Sequence, residues 1–289
     1  TIGFGQFIWS KSILKNDFLI GMVYRYTSYD DDTTATFDDK SLKNNPEKTH
    51  LPGIFIQDEI EFNEQNTLLL GMRYDYNSIH GNIFTPRLNY KTSNKKQTSI
   101  FRLSMGSGYR VNQVFTEDHA ALTGAREVVF LNNLKPERSW NMNLNFMKKI
   151  YLNRGYIIDL DSSVFRTIFS NEIIPNYDSN PNQIIYDNLN GTSVIQGVSV
   201  NINTLFQNNL RLNLGLTYID SYIEEKGVKS TPYLTESFQG VWRVEKNINR
   251  YGLSLHLTGS ITGPMRLPLL SEIDPRASFS PTFHSHMKS

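Results

Sequence analysis

The stretch "NTLLLGMRYDYN" at residues 66–77 interleaves two sequences. Leu68, Leu70, Met72, Tyr74 and Tyr76 form an apolar series, while Leu69, Gly71, Arg73, Asp75 and Asn77 form a mostly polar one. Successive side chains of a strand point to opposite faces, so the segment reads as a strand with one greasy and one wet face. One such strand fits any antiparallel sheet with a side in water. The neighbouring segments therefore decide the fold.

The same alternation recurs in about twelve segments, near 1–10, 16–28, 51–62, 67–78, 83–93, 98–111, 138–149, 155–167, 195–205, 210–221, 236–246 and 250–262. Most run to about 10–13 residues, against about 5–6 for an ordinary strand. A strand tilted by about 45° needs about 9–11 residues to cross the hydrocarbon of a bilayer. A series of such strands is the signature of an outer-membrane barrel.

The connections carry a second signal. Short ones at "KSILK", "NEQN", "SNKK", "LNRG", "FQNN" and "KNIN" alternate with long polar ones at 29–50, 111–137, 168–194 and 222–235, and the brief "SIHGN" is the exception in the long series. Consecutive antiparallel strands reverse direction, so all short turns fall at one end of the sheet and all long loops at the other, as periplasmic turns and extracellular loops do.

Aromatic placement is a third signal. On the apolar face, Tyr76, Phe84, Tyr109, Trp140 and Tyr218 fall near the long loops, and Phe62, Tyr90, Phe101, Phe146, Tyr156 and Tyr251 fall near the short turns. Leu70, Met72, Leu88, Leu103, Met105, Leu144 and Leu214 lie between them. Two aromatic girdles around an aliphatic band match the two interfaces of a membrane. The opposite face carries Arg73, Asp75, Arg87, Arg102, Arg110, Asn143 and Asp161, among others. Charge at bilayer depth is costly, so this face belongs to a wet or plugged interior.

Composition narrows the remaining classes. The chain has 289 residues, net charge +1 and no cysteine. Mixed, near-neutral charge gives no electrostatic footprint for nucleic acid, and thiol chemistry and cysteine-ligated zinc are excluded. No metalloprotease helix, nucleophile elbow, P-loop or dinucleotide-binding fingerprint occurs, so the reading is a non-enzyme with no cofactor.

Several strings together resemble a known family. "IFTPRLNY" at 83–90, "LSMGSGYRVNQVF" at 103–115, "NNLKPERSWNMNLNF" at 132–146 and "YDNLNGTSVIQGVSVNI" at 186–202 are similar, in order and spacing, to the C-terminal barrel of TonB-dependent outer-membrane receptors, particularly those of Bacteroidetes-type bacteria. The resemblance implies an N-terminal plug domain, absent from this chain, that engages the TonB energy-coupling complex. Such transporters have about 22 strands, so residues 1–289 are expected to be about twelve strands of one antiparallel transmembrane β-barrel domain, truncated at both ends. The bacterial outer membrane is the implied location and its lipid the surrounding partner.

Function then reads as active import of a scarce nutrient: an iron–siderophore, another metal complex, cobalamin or a glycan. A passive porin, or a barrel subunit of an outer-membrane assembly, is the alternative, and a haem receptor or a soluble β binding protein stands behind it. Long loops on rigid scaffolds concentrate binding residues. The loop from Asn112 to Pro136 gathers Glu117, Asp118, His119 and Arg126 with Phe130, a mixture suited to a charged or metal-bearing ligand. His119 lies between "GYR" and "NNLKPE", where the resemblance places a histidine in haem-uptake members. The same loop can instead serve as a lid or as a seat for a surface lipoprotein. Asp30, Asp31, Asp32, Asp38 and Asp39 read as a solvated loop without calcium-loop spacing, and Glu137–Arg138 as a charged pair at the water interface.

Overall fold

The computed structural model describes residues 1–30, 37–38, 43–44, 46–111, 127–132, 134–152, 155–177, 179–180, 182–206 and 209–266. Its strands are β1 (Ile2–Ile13), β2 (Asn16–Tyr29), β3 (Phe37–Asp38), β4 (Lys43–Asn44), β5 (Glu47–Asn63), β6 (Asn66–Asn77), β7 (Gly81–Ser93), β8 (Ser99–Arg110) and β9 (Glu127–Phe130). They continue with β10 (Glu137–Leu152), β11 (Tyr156–Ser170), β12 (Ile173–Asn176), β13 (Gln183–Asn188), β14 (Gly191–Leu205), β15 (Leu210–Glu225), β16 (Val228–Ser230), β17 (Phe238–Ile248) and β18 (Leu253–Thr262). A short 3-10 turn at Asn249–Tyr251 joins β17 to β18. Among the described residues no helix is long and apolar enough to cross a membrane; the crossing elements are strands.

The twelve alternating segments are the twelve long strands. They run β1-β2-β5-β6-β7-β8-β10-β11-β14-β15-β17-β18 in one sheet, with β16 folded back on β15. Every long strand pairs antiparallel with its neighbours, and lengths run from 10 residues in β18 to 17 in β5. Strands of this size placed in chain order are the wall of a large transmembrane barrel.

Register fixes the faces, since a one-residue slip would exchange them. Met72 lies opposite Ile56 and Pro86, Leu88 opposite Met105, and Met105 opposite Met142. Across the other half, Leu144 faces Val164, Val164 faces Val198, and Leu214 faces Trp242. The apolar members thus share one outer surface, interrupted by Asp58 opposite Leu70 and by Arg166, Gln196 and Asp220 in line with Met142. Met22, Ile54, Met72, Val164, Leu216 and Leu257 on it are each at least half exposed. A water-soluble sheet would cover such a surface, whereas a lipid-facing wall requires it. Phe84, Trp140 and Tyr218 stand exposed toward the long loops, and Phe62, Phe146 and Tyr251 toward the short turns.

The turns alternate as their lengths require. Leu14–Lys15, Glu64–Gln65, 94–98, 206–209 and 249–252 close one end. The longer connections close the other, except the tight 78–80 turn, where Asn77 Oδ1 accepts from the Ile79 and His80 amides. Three differences from the sequence reading appear on the long-loop side. The 222–235 segment begins as a hairpin extension, in which Lys226 and Gly227 take φ of 51° and 80° and so turn β15 tightly into β16. The 111–137 and 168–194 loops contain β9, β12 and β13, which carry their own sheet and core. Tyr109, expected in the outer girdle, is half-buried and within electrostatic reach of Asp75, Arg73 and Arg25.

The two faces of β15 and β17 should respond differently to charge. Leu216→Arg on the lipid side is expected to destabilise the complete receptor by about 2–4 kcal/mol. Val241→Arg, across the same sheet on the inner face, should stay within about 0.5 kcal/mol. Denaturant unfolding in lipid vesicles measures both, and equal costs would contradict the face assignment.

Candidate ligand-binding face and inner wall

The inner wall is organised by paired charges. Arg73 and Asp75, two residues apart on β6, share a face, and the Arg73 guanidinium donates from Nε to Asp75 Oδ2 and from Nη2 to Oδ1, both at 2.7 Å. Asp75 is fully buried. Opposite it on β5 stands Gly53, where a Cβ would run into Asp75 Oδ1, so the absent side chain makes the room this carboxylate occupies. A buried carboxylate of this kind tolerates burial only because the fork of Arg73 compensates it.

Lower on the wall, a polar ladder crosses three strands. Arg102 Nη1 donates to Asn145 Oδ1 at 3.3 Å and also meets Met147 Sδ at 2.7 Å. Asn145 Nδ2 donates onward to Asp161 Oδ1 at 2.7 Å and to Ser163 Oγ at 3.0 Å. Glu245, largely buried on β17, is surrounded by Arg243, by Arg211 at 4.0 Å and by His256 at 3.7 Å. Each charge in these two groups has a partner of opposite sign or a polar amide.

At the rim, the loops fold into a second unit. β12, β13 and β9 form a three-stranded sheet in which β13 and β9 run parallel, Gln183 opposite Glu127 and Tyr186 opposite Phe130. Ile173, Tyr177, Ile184 and Tyr186 are its buried core, with Val128, Phe130, Leu134 and Tyr233 packed around them. The Phe130 and Tyr186 rings are 6.0 Å apart, and Tyr233 stands edge-on to Tyr177 at 5.7 Å. Arg266 stacks over Tyr233 at 4.2 Å and donates to its hydroxyl at 3.0 Å and to the Thr231 carbonyl at 2.9 Å. Three separate connections therefore share one hydrophobic centre.

Two residues fasten this unit to the barrel. Asn188 Oδ1 accepts from the Lys135 amide at 2.7 Å, and its Nδ2 donates to the Lys135 and Asn171 carbonyls at 2.9 and 2.7 Å. This joins "LKPE" to "YDNLNG" through a single amide side chain. Glu137, at 3% exposure, accepts from Arg110 at 2.6 Å and from the Ile173 amide at 2.9 Å. The Glu137–Arg138 pair expected at the water interface is thus divided: alternation turns Glu137 inward, where it is buried and paired with the exposed Arg110, and leaves Arg138 exposed. Beside them Glu172 is held above the ordinary glutamate range, first by burial and also by the Glu137 charge; the Ser193 hydrogen bond and Arg110 oppose this.

The structure brings Arg73 with Asp75, and Arg110 with Glu137, into ion pairs, places Arg102 in the polar ladder, and leaves Arg87 exposed on the inner face. Phe130 is half-buried in the loop core. Glu117, Asp118, His119 and Arg126 lie outside the described residues, as do Asp31, Asp32 and Asp39 of the acidic loop. Asp30 accepts from Asn44 Nδ2 at 2.8 Å. Among the described residues no group of three or more histidine or acidic side chains converges to hold a metal. Sequence reasoning missed Asn188, Glu172 and Tyr233. The only trace of the loop core was the short apolar runs "EVVF" and "QIIYDN".

A sheet that shows lipid an aliphatic band between aromatic girdles, keeps most of its charges within and gathers its long loops at one end is the wall of an outer-membrane β-barrel. Residues 4–258 match the family model described as TonB dependent receptor-like, beta-barrel, and the chain belongs to that family of the bacterial outer membrane. A search of curated proteins gave no match. Solved structures share the fold. The siderophore receptor PirA from Acinetobacter baumannii superposes with a TM-score of 0.72 at 15% identity, over 99% of this chain and 46% of that one. PirA from Pseudomonas aeruginosa gives 0.65 at 17% identity, over 91% and 45%. The FrpB iron transporter from Neisseria meningitidis gives 0.64 at 13% identity, over 91% and 43%. The chain spans less than half the length of these structures.

Two substitutions should separate the loop unit from the wall. Asn188→Ala removes three hydrogen bonds and is expected to loosen the loop core by about 1–3 kcal/mol. Amide exchange should then speed up in 127–132 and 183–188 while β10 and β14 stay protected. For Glu172, a folded-state pKa above the unfolded one means its contribution is present in acid and lost as pH rises from the ordinary glutamate range through the raised value. Glu172→Gln, which mimics the protonated form, should therefore stabilise the loop core at neutral pH and flatten this part of its pH dependence. Protease resistance of the loops, compared with wild type across that window, checks the sign.

Proposed function

We propose that this chain is the greater part of the barrel wall of a receptor that imports a scarce nutrient across the outer membrane. Import is driven by the TonB energy-coupling complex acting through a plug domain. The observation that carries the reading is the pairing of a polar inner wall, most of whose charges are paired, with a packed loop unit at one rim, within a chain of this receptor family. The loop unit is the receiving end. Its own hydrogen bonds at Asn188 and Glu137 hold its shape, and a loop fixed in this way costs less to order on binding. The inner wall offers charged and amide groups to a plug or a passing solute.

The ligand class favoured is an iron–siderophore or another iron complex, because the similar structures include siderophore receptors and an iron transporter. Cobalamin, glycan and haem are the other candidates. Within the loop, Glu117, Asp118, His119 and Arg126 are proposed as ligand contacts, with Phe130 supporting them from the core rather than touching ligand. A surface lipoprotein seated on the same loops is the alternative use of this face. No covalent step is proposed.

The test is nutrient-limited growth of a strain lacking the receptor gene, restored by the complete gene. Restored growth should depend on the TonB complex. It should also fall when residues 117–125 are deleted, leaving β9 in place, with surface expression verified. Growth restored without the coupling complex would make the barrel a passive porin, and uptake unchanged by the deletion would remove this loop from the binding site.

A further inference from the structure

The ladder between β7 and β8 stops partway. Ser93 N donates to the Gln65 carbonyl and Asn94 N to the Ser99 carbonyl, so odd residues of β7 bond to β6 and even ones to β8. Continuing the register from Arg87 opposite Gly106, the next even position is Pro86, opposite Ser107. Proline has no N–H to give, and pairing ends there. Beyond it, β7 continues with β6 as far as Gly81, and β8 continues with β10 as far as Arg110. The wall forks on its long-loop side, and Ser107 Oγ is buried there with no hydrogen-bond partner among the described residues.

A concavity of about 220 Å³ opens beside this fork, lined by Gln57, Gly71, Arg73, Thr85, Arg87 and Ser107 among others. Its floor carries little side-chain bulk, since Gly71 lies opposite Arg87 on β7 and Gly106 faces Arg87 from the other side. The two guanidiniums differ. Arg73 is committed to Asp75 at 2.7 Å, whereas Arg87 is exposed and meets no partner among the described residues. The local balance is one uncompensated positive charge, with the Gln57 amide and the Thr85 hydroxyl around it, in a recess whose walls focus its field.

We propose that this recess is an oxyanion site, taking a carboxylate or phosphate group on Arg87 with Thr85 and Gln57 beside it. A guanidinium fork matches such groups in shape and charge. The group can come from an acidic side chain of the receptor's own chain lodged in the barrel, or from a soluble ligand. The site is additional to import, and its failure leaves the transport reading standing.

The chain has no cysteine, so Thr85→Cys in a complete receptor freed of other cysteines reports the recess alone. Reaction with an anionic methanethiosulfonate should exceed that with a cationic one by about tenfold. The ratio should fall toward parity with Arg87→Gln added and persist with Arg87→Lys. Slowing by inorganic phosphate or citrate, with thermal stability unchanged by Arg87→Gln, identifies a soluble anion. A lower Tm for Arg87→Gln than for Arg87→Lys, with no ligand added, identifies a carboxylate of the receptor itself, including the case where the introduced thiol reacts with neither reagent. Equal rates for both reagents, or no reaction together with no change in Tm, overturns the proposal.

Discussion

Inside a bilayer no water is present to bond a free N–H or C=O, so each backbone polar group must find a neighbouring strand. Almost everything in this chain follows from that constraint. It makes the strands long, because pairing must hold across the whole hydrocarbon layer, and it makes them run in chain order, because each hairpin supplies its own partner. It also limits where exceptions can stand. The place where a long ladder stops early, at Pro86, lies opposite Met72 on the long-loop side of the aliphatic band, beside polar inner-wall groups.

Faces come from the same ladder. Once Met72 stands opposite Pro86 and Leu88 opposite Met105, the charges on the intervening positions have no choice but the interior. They are then handled locally: Asp75 by the Arg73 fork in the space Gly53 leaves, Asn145 by relaying between Arg102 and Asp161, Glu245 by three basic side chains. None of these arrangements needs a dry core, and only a few apolar residues outside the loop unit are fully buried.

Legibility in the sequence followed the range of the forces involved. Period-2 alternation is local, and strands such as β6 and β15 repeat it for 12 and 16 residues, so the wall and its faces could be read directly. The rim could not. β9 is 4 residues long and pairs parallel with β13, some fifty residues away, and no short-range pattern announces such a contact. Asn188 looks like any loop asparagine until Lys135 is seen beside it. Glu137 departs from its sequence reading for a related reason: its position beside an exposed arginine hides an alternation that places it inward, under the loop core. The acidic and histidine residues proposed for ligand contact rest on sequence alone.

The shared loop core has a consequence for how such receptors diversify. Two loops that look independent in the sequence share one hydrophobic centre, the second supplying its buried residues and the first Val128, Phe130 and Leu134 packed against them, and a third contributes Tyr233. A recombination event or a laboratory graft that exchanged only 111–137 would bring Val128 and Phe130 to a β13 that was not selected to receive them. The unit that must be inherited together on this face is therefore the pair of loops with "LKPE" and "YDNLNG", the strings that hold them. Drift within either loop is free only where it leaves that joint intact.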